Sequence, residues 1–436
     1  MSGKVRAGIL TLGCRVNQYE SDAIMQELSK YGVEICDKDE PCDIYIINTC
    51  TVTAESDRKS RQFIRKCVSK NPDADIIVTG CYSQVNPEQA LAIEGVDFVC
   101  GNNGKSIIAK KSLELFEKRQ EKSAFMPDIY GAKFDQMQVG APMNRTRAFI
   151  KIQDGCDSKC AYCIIPSARG SVRSDSKENI LSEIKSAVSQ GCVEAVLTGI
   201  ETASYGKDFK NGYSLADLLC EVQKIDGLER IRLGSLDPHA ITRDFVDKIK
   251  SLSKVMPHFH ISMQSGCTKT LNAMKRKYNI DMARERIEYL KSQIPELMLS
   301  ADVIVGFPQE SDEDFLKTVE FFKEQKFLHL HIFPYSKRKG TVAYEMDGQI
   351  DESVKKERLR RLSKIQESIK AELLEDYVRT HSKVPVLFET LDGEYMHGHA
   401  PSFVEIKAKS NENLSGKIAF VKPIYTDGKM IFGEIL

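Results

Sequence analysis

The stretch RAFIKIQDGCDSKCAYC, residues 147–163, decides how this chain is read. Its first seven residues (147–153) have the apolar character of a buried strand. Three cysteines follow at once in a C-x3-C-x2-C spacing: Cys156, Cys160 and Cys163. Three thiolates in one tight loop can ligate three irons of a [4Fe–4S] cluster. No fourth cysteine follows within the loop, so the fourth iron stays open to a substrate. A zinc loop would pair C-x2-C with a second such pair or with histidines, and no second close pair exists.

Outward from that loop, strand-like runs recur at 193–199, 230–235, 258–263, 299–307 and 328–335, separated by amphipathic helical stretches. About six βα repeats predict an open, partial (β/α)6 barrel over 147–350, with active residues at the C-terminal ends of its strands. On the N-terminal side, strands at 5–12, 43–49 and 75–80 alternate with helices near 17–30 and 55–70. That is a small parallel α/β domain over 1–120. Three of its strands end in a cysteine, Cys14, Cys50 and Cys81, which a parallel sheet can gather at one edge. Residues 101–120 look helical and 121–146 look like a linker. Beyond the barrel, 351–380 has the periodicity of one long connecting helix. Short alternating segments with Gly turns then predict a small antiparallel β-barrel over 381–436.

A chain of 436 residues implies two or three domains. Thirteen cysteines, an odd number, argue for metal binding or reactive sulfur rather than a disulfide framework. The opening MSGKVRAGILTLGC reads as strand and loop, not as a signal peptide. No uncharged run approaches the ~20 residues of a membrane helix. The expectation is a cytoplasmic protein without membrane contact. Its formal net charge is zero, so nucleic-acid contact would rest on local basic patches.

The C-x3-C-x2-C loop resembles that of radical S-adenosylmethionine (SAM) enzymes. In that family SAM chelates the open iron and is cleaved to a 5′-deoxyadenosyl radical. LGCRVNQYESD, NTCTVTAESDRKSR and TGCYSQ, with HISMQSGCTKTLNAMKRKY, ADVIVGFPQESDEDF and HIFPYSKRKGTVA, resemble methylthiotransferases over nearly the whole chain. The resemblance implies two [4Fe–4S] clusters, on Cys156, Cys160 and Cys163 and on Cys14, Cys50 and Cys81. It also implies a C-terminal RNA-binding barrel of the TRAM type, and a reductant protein such as flavodoxin or ferredoxin together with a sulfur donor. GCRVNQYES, NTCTVT and FPYSKRKGT point to the branch that methylthiolates C2 of N6-threonylcarbamoyladenosine beside the tRNA anticodon, position 37. The competing branches act on isopentenylated adenosine or on a ribosomal-protein aspartate. A non-catalytic iron–sulfur RNA-binding protein is the more distant alternative. Gln309 stands where the family's GFP-Gly-Glu pattern has glycine, and Arg15 where lysine is frequent.

Tyr162 matches the family position that lies against adenine. Thr198, Gly199, Glu201, Ser235, Asp237 and Gln264 end predicted strands and are candidate SAM contacts, although such residues also cap helices. The basic runs around Arg58, Arg61 and Arg65, around Lys275 and Arg276, and around Lys337 and Arg338 are candidate RNA contacts. Tyr395, Phe403 and Tyr425 are candidate base stackers, with core filling favoured for Phe403. Cysteines 36, 42, 67, 100, 192, 220 and 267 match no ligand position. His258, His260, His329 and His331 lack metal spacing and fit strand packing.

Overall fold

The computed structural model describes residues 4–37, 39–118, 121–137 and 146–436. The first sheet follows from continuous apolar runs that suit strands covered on both faces. It comprises β1 (Arg6–Thr11), β2 (Glu34–Ile35), β3 (Ile44–Thr49), β4 (Asp75–Gly80), β5 (Phe98–Cys100) and β6 (Ser123–Phe125). All are parallel, in the order β2-β1-β3-β4-β5-β6. Strands β3 and β4 are buried at every position. Strand β6 lies inside the stretch read as linker. Three residues carry too short a pattern to announce a strand, and pairing to the β5 edge recruits them.

The barrel wall is built from β7 (Arg147–Lys151), β10 (Glu194–Thr198), β11 (Arg230–Leu233), β12 (His258–Gln264), β13 (Met298–Val305) and β14 (His329–Pro334). Two three-stranded parallel sheets meet through the bridges Ile231–Val255 and Leu236–Ile261. A short antiparallel pair, β8 (Gln153–Asp154) and β9 (Arg173–Ser174), flanks the cysteine loop. Successive side chains of a strand point to opposite faces. One set, including Ile150, Leu197, Ile231, Ile261, Ala301 and Leu330, packs outward against the helices as the largest core. The alternate set is polar along much of its length.

The helix Glu352–Thr380 runs past β14 and joins two cores. Leu362 belongs to the barrel core, while Leu374 and Tyr377 belong to that of the C-terminal barrel. That barrel closes from β15 (Val384–Asp392), β16 (Tyr395–His399), β17 (Glu405–Lys409), β18 (Ile418–Thr426) and β19 (Ile431–Ile435), in the order β15-β16-β17-β19-β18. Four of its seams are antiparallel and β17–β19 is parallel. Five strands cannot alternate in direction around a closed ring, so one parallel seam is required.

Candidate active site

Cys14 follows β1 at the start of the helix Arg15–Lys30, Cys50 follows β3, and Cys81 follows β4. The shared strand-end position brings them together. Gly13 adopts φ +101°, and a Cβ there would sit 2.9 Å from the Cys50 Cβ and 3.1 Å from its Sγ. The Cys14 turn therefore passes directly over Cys50. Burial and the neighbouring thiols push the Cys50 pKa up to about 11. Asn102 Nδ2 donates to Cys81 Sγ at 3.4 Å.

The second trio sits in the loop after β8. The Ser158 N–H donates to Cys156 Sγ at 3.4 Å, and Arg276 Nη1 donates to Cys160 Sγ at 3.2 Å. Burial and the nearby thiols push Cys163 up to about 12. Thiols packed so cannot all be thiolates without a cationic partner, which an iron–sulfur core supplies. N–H donors aimed at sulfur are the polar contacts that suit such a core. Each trio thus fits a three-cysteine cluster. Among the described residues, no group of three or more His, Cys, Asp or Glu side chains converges on a single-ion site.

The candidate SAM residues gather around the second trio. Glu201 Oε1 accepts from the Asp237 N–H at 3.3 Å, and Asp237 Oδ2 pairs with Arg276 Nη2 at 2.7 Å. Asp237 also accepts from the His239 N–H at 2.8 Å, so it caps a turn as well. Burial, with Asp237 nearby, raises the Glu201 pKa to about 7. Tyr162 packs beside Ala161 and Met274, and Arg276 Nη1 donates to its hydroxyl at 3.3 Å. Gln264 ends β12 at φ +62°, a left-handed conformation that is uncommon without glycine. Thr198 is buried at the end of β10. Gly199 lies where a Cβ would meet Gln153 Oε1 at 2.7 Å. Gln153 Oε1 accepts from the Glu201 N–H at 2.9 Å, a positioning role that the sequence did not reveal.

Two candidate RNA residues are corrected. Arg276 faces the cysteine loop rather than solvent, because Lys275 at φ +57° turns the chain there. Arg338 is buried, bound to Asp57 at 2.8 Å and to Thr51 Oγ1 at 2.8 Å. It bridges the barrel to the N-terminal sheet. Lys275 and Lys337 are exposed. Arg58 pairs with Glu55, Arg61 lies over the Tyr82 ring at 5.8 Å, and Arg65 is exposed. Tyr425 is exposed and stacks on Phe432 at 4.8 Å, with Tyr395 edge-on to the same ring. Phe403 is no surface stacker. It lies between His258 and His399, with Arg232 over its face.

The four histidines read as strand packing instead line a chamber of about 570 Å³ inside the barrel wall. Cys14, Arg15, Gly199, Ser235 and Asp302 also line it. The signal was present in HFHISM, SADVIV and HLHIFP, where polar residues recur at every second position on strands expected to be buried. A larger, more open hollow of about 1000 Å³ beside Lys133, Lys177 and Tyr213 holds no cysteine.

A buried ionic network ties the two trios together. Glu20, from the helix after Cys14, pairs with Lys105, with Lys151 at 2.8 Å and with Arg169 at 2.8 Å. Arg169 also reaches Asn17 Oδ1 at 2.5 Å and Asp154 at 3.1 Å. Asn102 Nδ2 donates to the Ala168 carbonyl at 2.7 Å as well as to Cys81.

Residues 6–101 match the model of Uncharacterized protein family UPF0004, and residues 150–322 match the Radical SAM superfamily. Threonylcarbamoyladenosine tRNA methylthiotransferase of Bacillus subtilis (strain 168) is 39% identical over 97% of this chain and 95% of its own length. Its namesake from Aquifex aeolicus (strain VF5) is 40% identical over 84% of this chain and 88% of its own. The chain belongs to the radical SAM methylthiotransferases. The tRNA-2-methylthio-N(6)-dimethylallyladenosine synthase of Carboxydothermus hydrogenoformans is 33% identical over 98% of both chains. Among solved structures, the radical SAM methyltransferase TsrM from Kitasatospora setae, bound to cobalamin and a [4Fe-4S] cluster, shares the fold. Its TM-score is 0.55 at 14% identity, covering 76% of this methylthiotransferase and 72% of TsrM. This methylthiotransferase thus works with SAM and [4Fe–4S] clusters.

Proposed function

We propose that this chain replaces the C2 hydrogen of N6-threonylcarbamoyladenosine, beside the tRNA anticodon, with a methylthio group. One observation carries the reading. A single chamber is lined by Cys14 from the N-terminal sheet and by Gly199 and Ser235 from the ends of barrel strands. A base held there would lie beside Cys14 of one trio and the strand ends that carry candidate SAM residues. Relatives named for the threonylcarbamoyl substrate reach 39–40% identity, against 33% for one named for the dimethylallyl substrate.

An aromatic C–H has no acidity that side chains of ordinary pKa can exploit. The clusters, when bound, supply the electron that cleaves SAM and a route for sulfur. The chain's part is to hold and orient. Cys156, Cys160 and Cys163 would ligate the SAM-cleaving cluster, and Cys14, Cys50 and Cys81 the auxiliary one. Tyr162, Thr198, Gly199, Glu201, Ser235, Asp237 and Gln264 would surround SAM, with Arg276 fixing Asp237 and Cys160. Arg58, Arg61 and Arg65 fall on one face of the helix Ala54–Lys70. The Ala54 N–H donates to Ser336 Oγ at 3.0 Å, so exposed Lys337 adjoins that helix and extends its basic surface toward RNA. A reductant protein such as flavodoxin or ferredoxin and a sulfur donor complete the system.

The test is nucleoside mass spectrometry of tRNA after expression in cells lacking the activity. The expected product is the 2-methylthio derivative of threonylcarbamoyladenosine. Methylthiolation of dimethylallyladenosine alone would overturn the substrate assignment. Cys160→Ala is expected to abolish 5′-deoxyadenosine formation. Cys50→Ala is expected to keep it while losing the methylthio product, and full product from Cys50→Ala would refute the two-cluster assignment.

A further inference from the structure

A filled α/β barrel packs bulky branched side chains inward. Here the inward face of the last three strands carries histidine, serine and aspartate. The register sets His260, Ser300 and His329 at one level and Asp302 with His331 at the next. Arg15 and Arg232 line the chamber, Arg147 and Arg230 join Arg232 around Glu194 beneath it, and all but Arg15 are committed. Arg147 binds Glu194 and Glu389. Arg230 donates to the His399 and Pro385 carbonyls at 3.0 and 2.7 Å. Arg232 binds Glu194 and the Pro401 and Ala400 carbonyls. These three hold the C-terminal barrel against the base of the wall.

Arg15 is different. It enters from the N-terminal sheet, next to Cys14, and its guanidinium lies over the Phe149 ring at 5.8 Å. Among the described residues it has no hydrogen bond and no ion pair. It is the first residue of the helix Arg15–Lys30, whose first turn holds no acidic residue. The positive end of that helix adds to its field. Arg15 is exposed and lines the chamber, so its charge is available to a visiting anion.

We propose that the chamber takes the threonylcarbamoyl appendage of the substrate adenosine and that Arg15 binds its carboxylate. The inference rests on the substrate reading above. Guanidinium and carboxylate match as a bidentate, charge-assisted pair. His260, Ser300 and His331 offer hydrogen-bonding groups for the hydroxyl and ureido atoms of the appendage. A dimethylallyl tail would offer Arg15 no anion, whereas His260 and Ser300 already bond to each other at 2.9 Å and His260 to Asp302 at 3.0 Å.

The test compares two anticodon stem-loops with the cluster-loaded full-length enzyme. One carries threonylcarbamoyladenosine, and in the other the threonine carboxylate is a neutral carboxamide. The wild type should favour the carboxylate RNA in kcat/KM by about 10- to 100-fold. Arg15→Met should bring that ratio near one while still turning over the carboxamide RNA, and Arg15→Lys should restore part of the preference. Equal use of both RNAs by the wild type overturns the assignment without needing any variant. So does an Arg15→Met enzyme that keeps the wild-type ratio, or one that loses only SAM affinity or loses both RNAs equally. Those last outcomes would place Arg15 on SAM or on the RNA backbone. If the wild type modifies neither of these RNAs but modifies a dimethylallyl stem-loop, the substrate reading itself falls.

Discussion

At the scale of single residues, Arg276 shows how a basic run divides between surface and site. Its neighbours Lys275 and Lys277 are exposed, while its own guanidinium joins Cys160, Tyr162, Asp237 and the Ser262 carbonyl. Arg276→Met should lower 5′-deoxyadenosine formation by about 10- to 100-fold, the usual cost of removing a group that orients a metal ligand. Glu201 sets a pH dependence. Burial and Asp237 raise its pKa to about 7, so the carboxylate forms only as pH rises through that value. A carboxylate attracts the cationic SAM better than a carboxylic acid does. SAM affinity should therefore increase from about pH 6 to about pH 8, and Glu201→Gln should flatten the profile. Binding measured by equilibrium dialysis across that range checks both. Glu201 and Asp237 were legible as strand-end acids. Arg276 was legible only as part of a charge run, because the backbone reversal at Lys275 has no distinct signature in sequence.

At the scale of elements, two turns carry the argument. Gly13 is needed both for its positive φ and for the space its missing Cβ leaves above Cys50. Gly13→Ala should displace the Cys14 turn, and iron analysis should then fall from two clusters' worth per chain to one while SAM cleavage persists. Gln309 gives the opposite case. It sits at φ +67°, with its N–H donating to the Gly348 carbonyl at 2.8 Å. The glycine of the family pattern avoids strain that glutamine accepts here. Gln309→Gly should stabilise the protein by about 0.5–1 kcal/mol, read from chemical denaturation. The long strands were readable because apolar runs with period two or with none are strong signals. Strand β6 was not readable, since three residues become a strand only beside a free sheet edge.

At the scale of the whole molecule, the N-terminal sheet and the barrel share a buried charge network centred on Glu20. Neighbouring Arg169, Lys105 and Lys151 overcome burial and hold the Glu20 pKa below the usual carboxylate range. A depressed pKa adds stability that is present above about pH 4.5 and is lost as pH falls. Glu20→Gln would leave three buried cations short of a partner and should cost about 3–5 kcal/mol. The first transition in an anaerobic urea titration should move to lower denaturant, and the wild type should show the same weakness on acidification. tRNA binding is a second property of the whole surface. Its affinity should fall with salt at a slope of about −0.7 to −0.9 per phosphate contacted, and a flat response would count against a phosphate-gripping surface.

By itself the sequence determined the cysteine spacing, the order of strands and helices, and the three-part architecture, because each depends on neighbours within a few residues of one another. It also contained the alternation of histidine, serine and aspartate on β12, β13 and β14, although that pattern is ambiguous while the facing elements are unknown. Only the tertiary structure decided which charges are spent and which are free. Arg147, Arg230 and Arg232 bind groups from the C-terminal barrel, Arg338 binds the N-terminal sheet, and Arg15 is left open to the chamber. Pairing depends on distances between residues hundreds of positions apart, and those distances exist only once the chain has closed on itself.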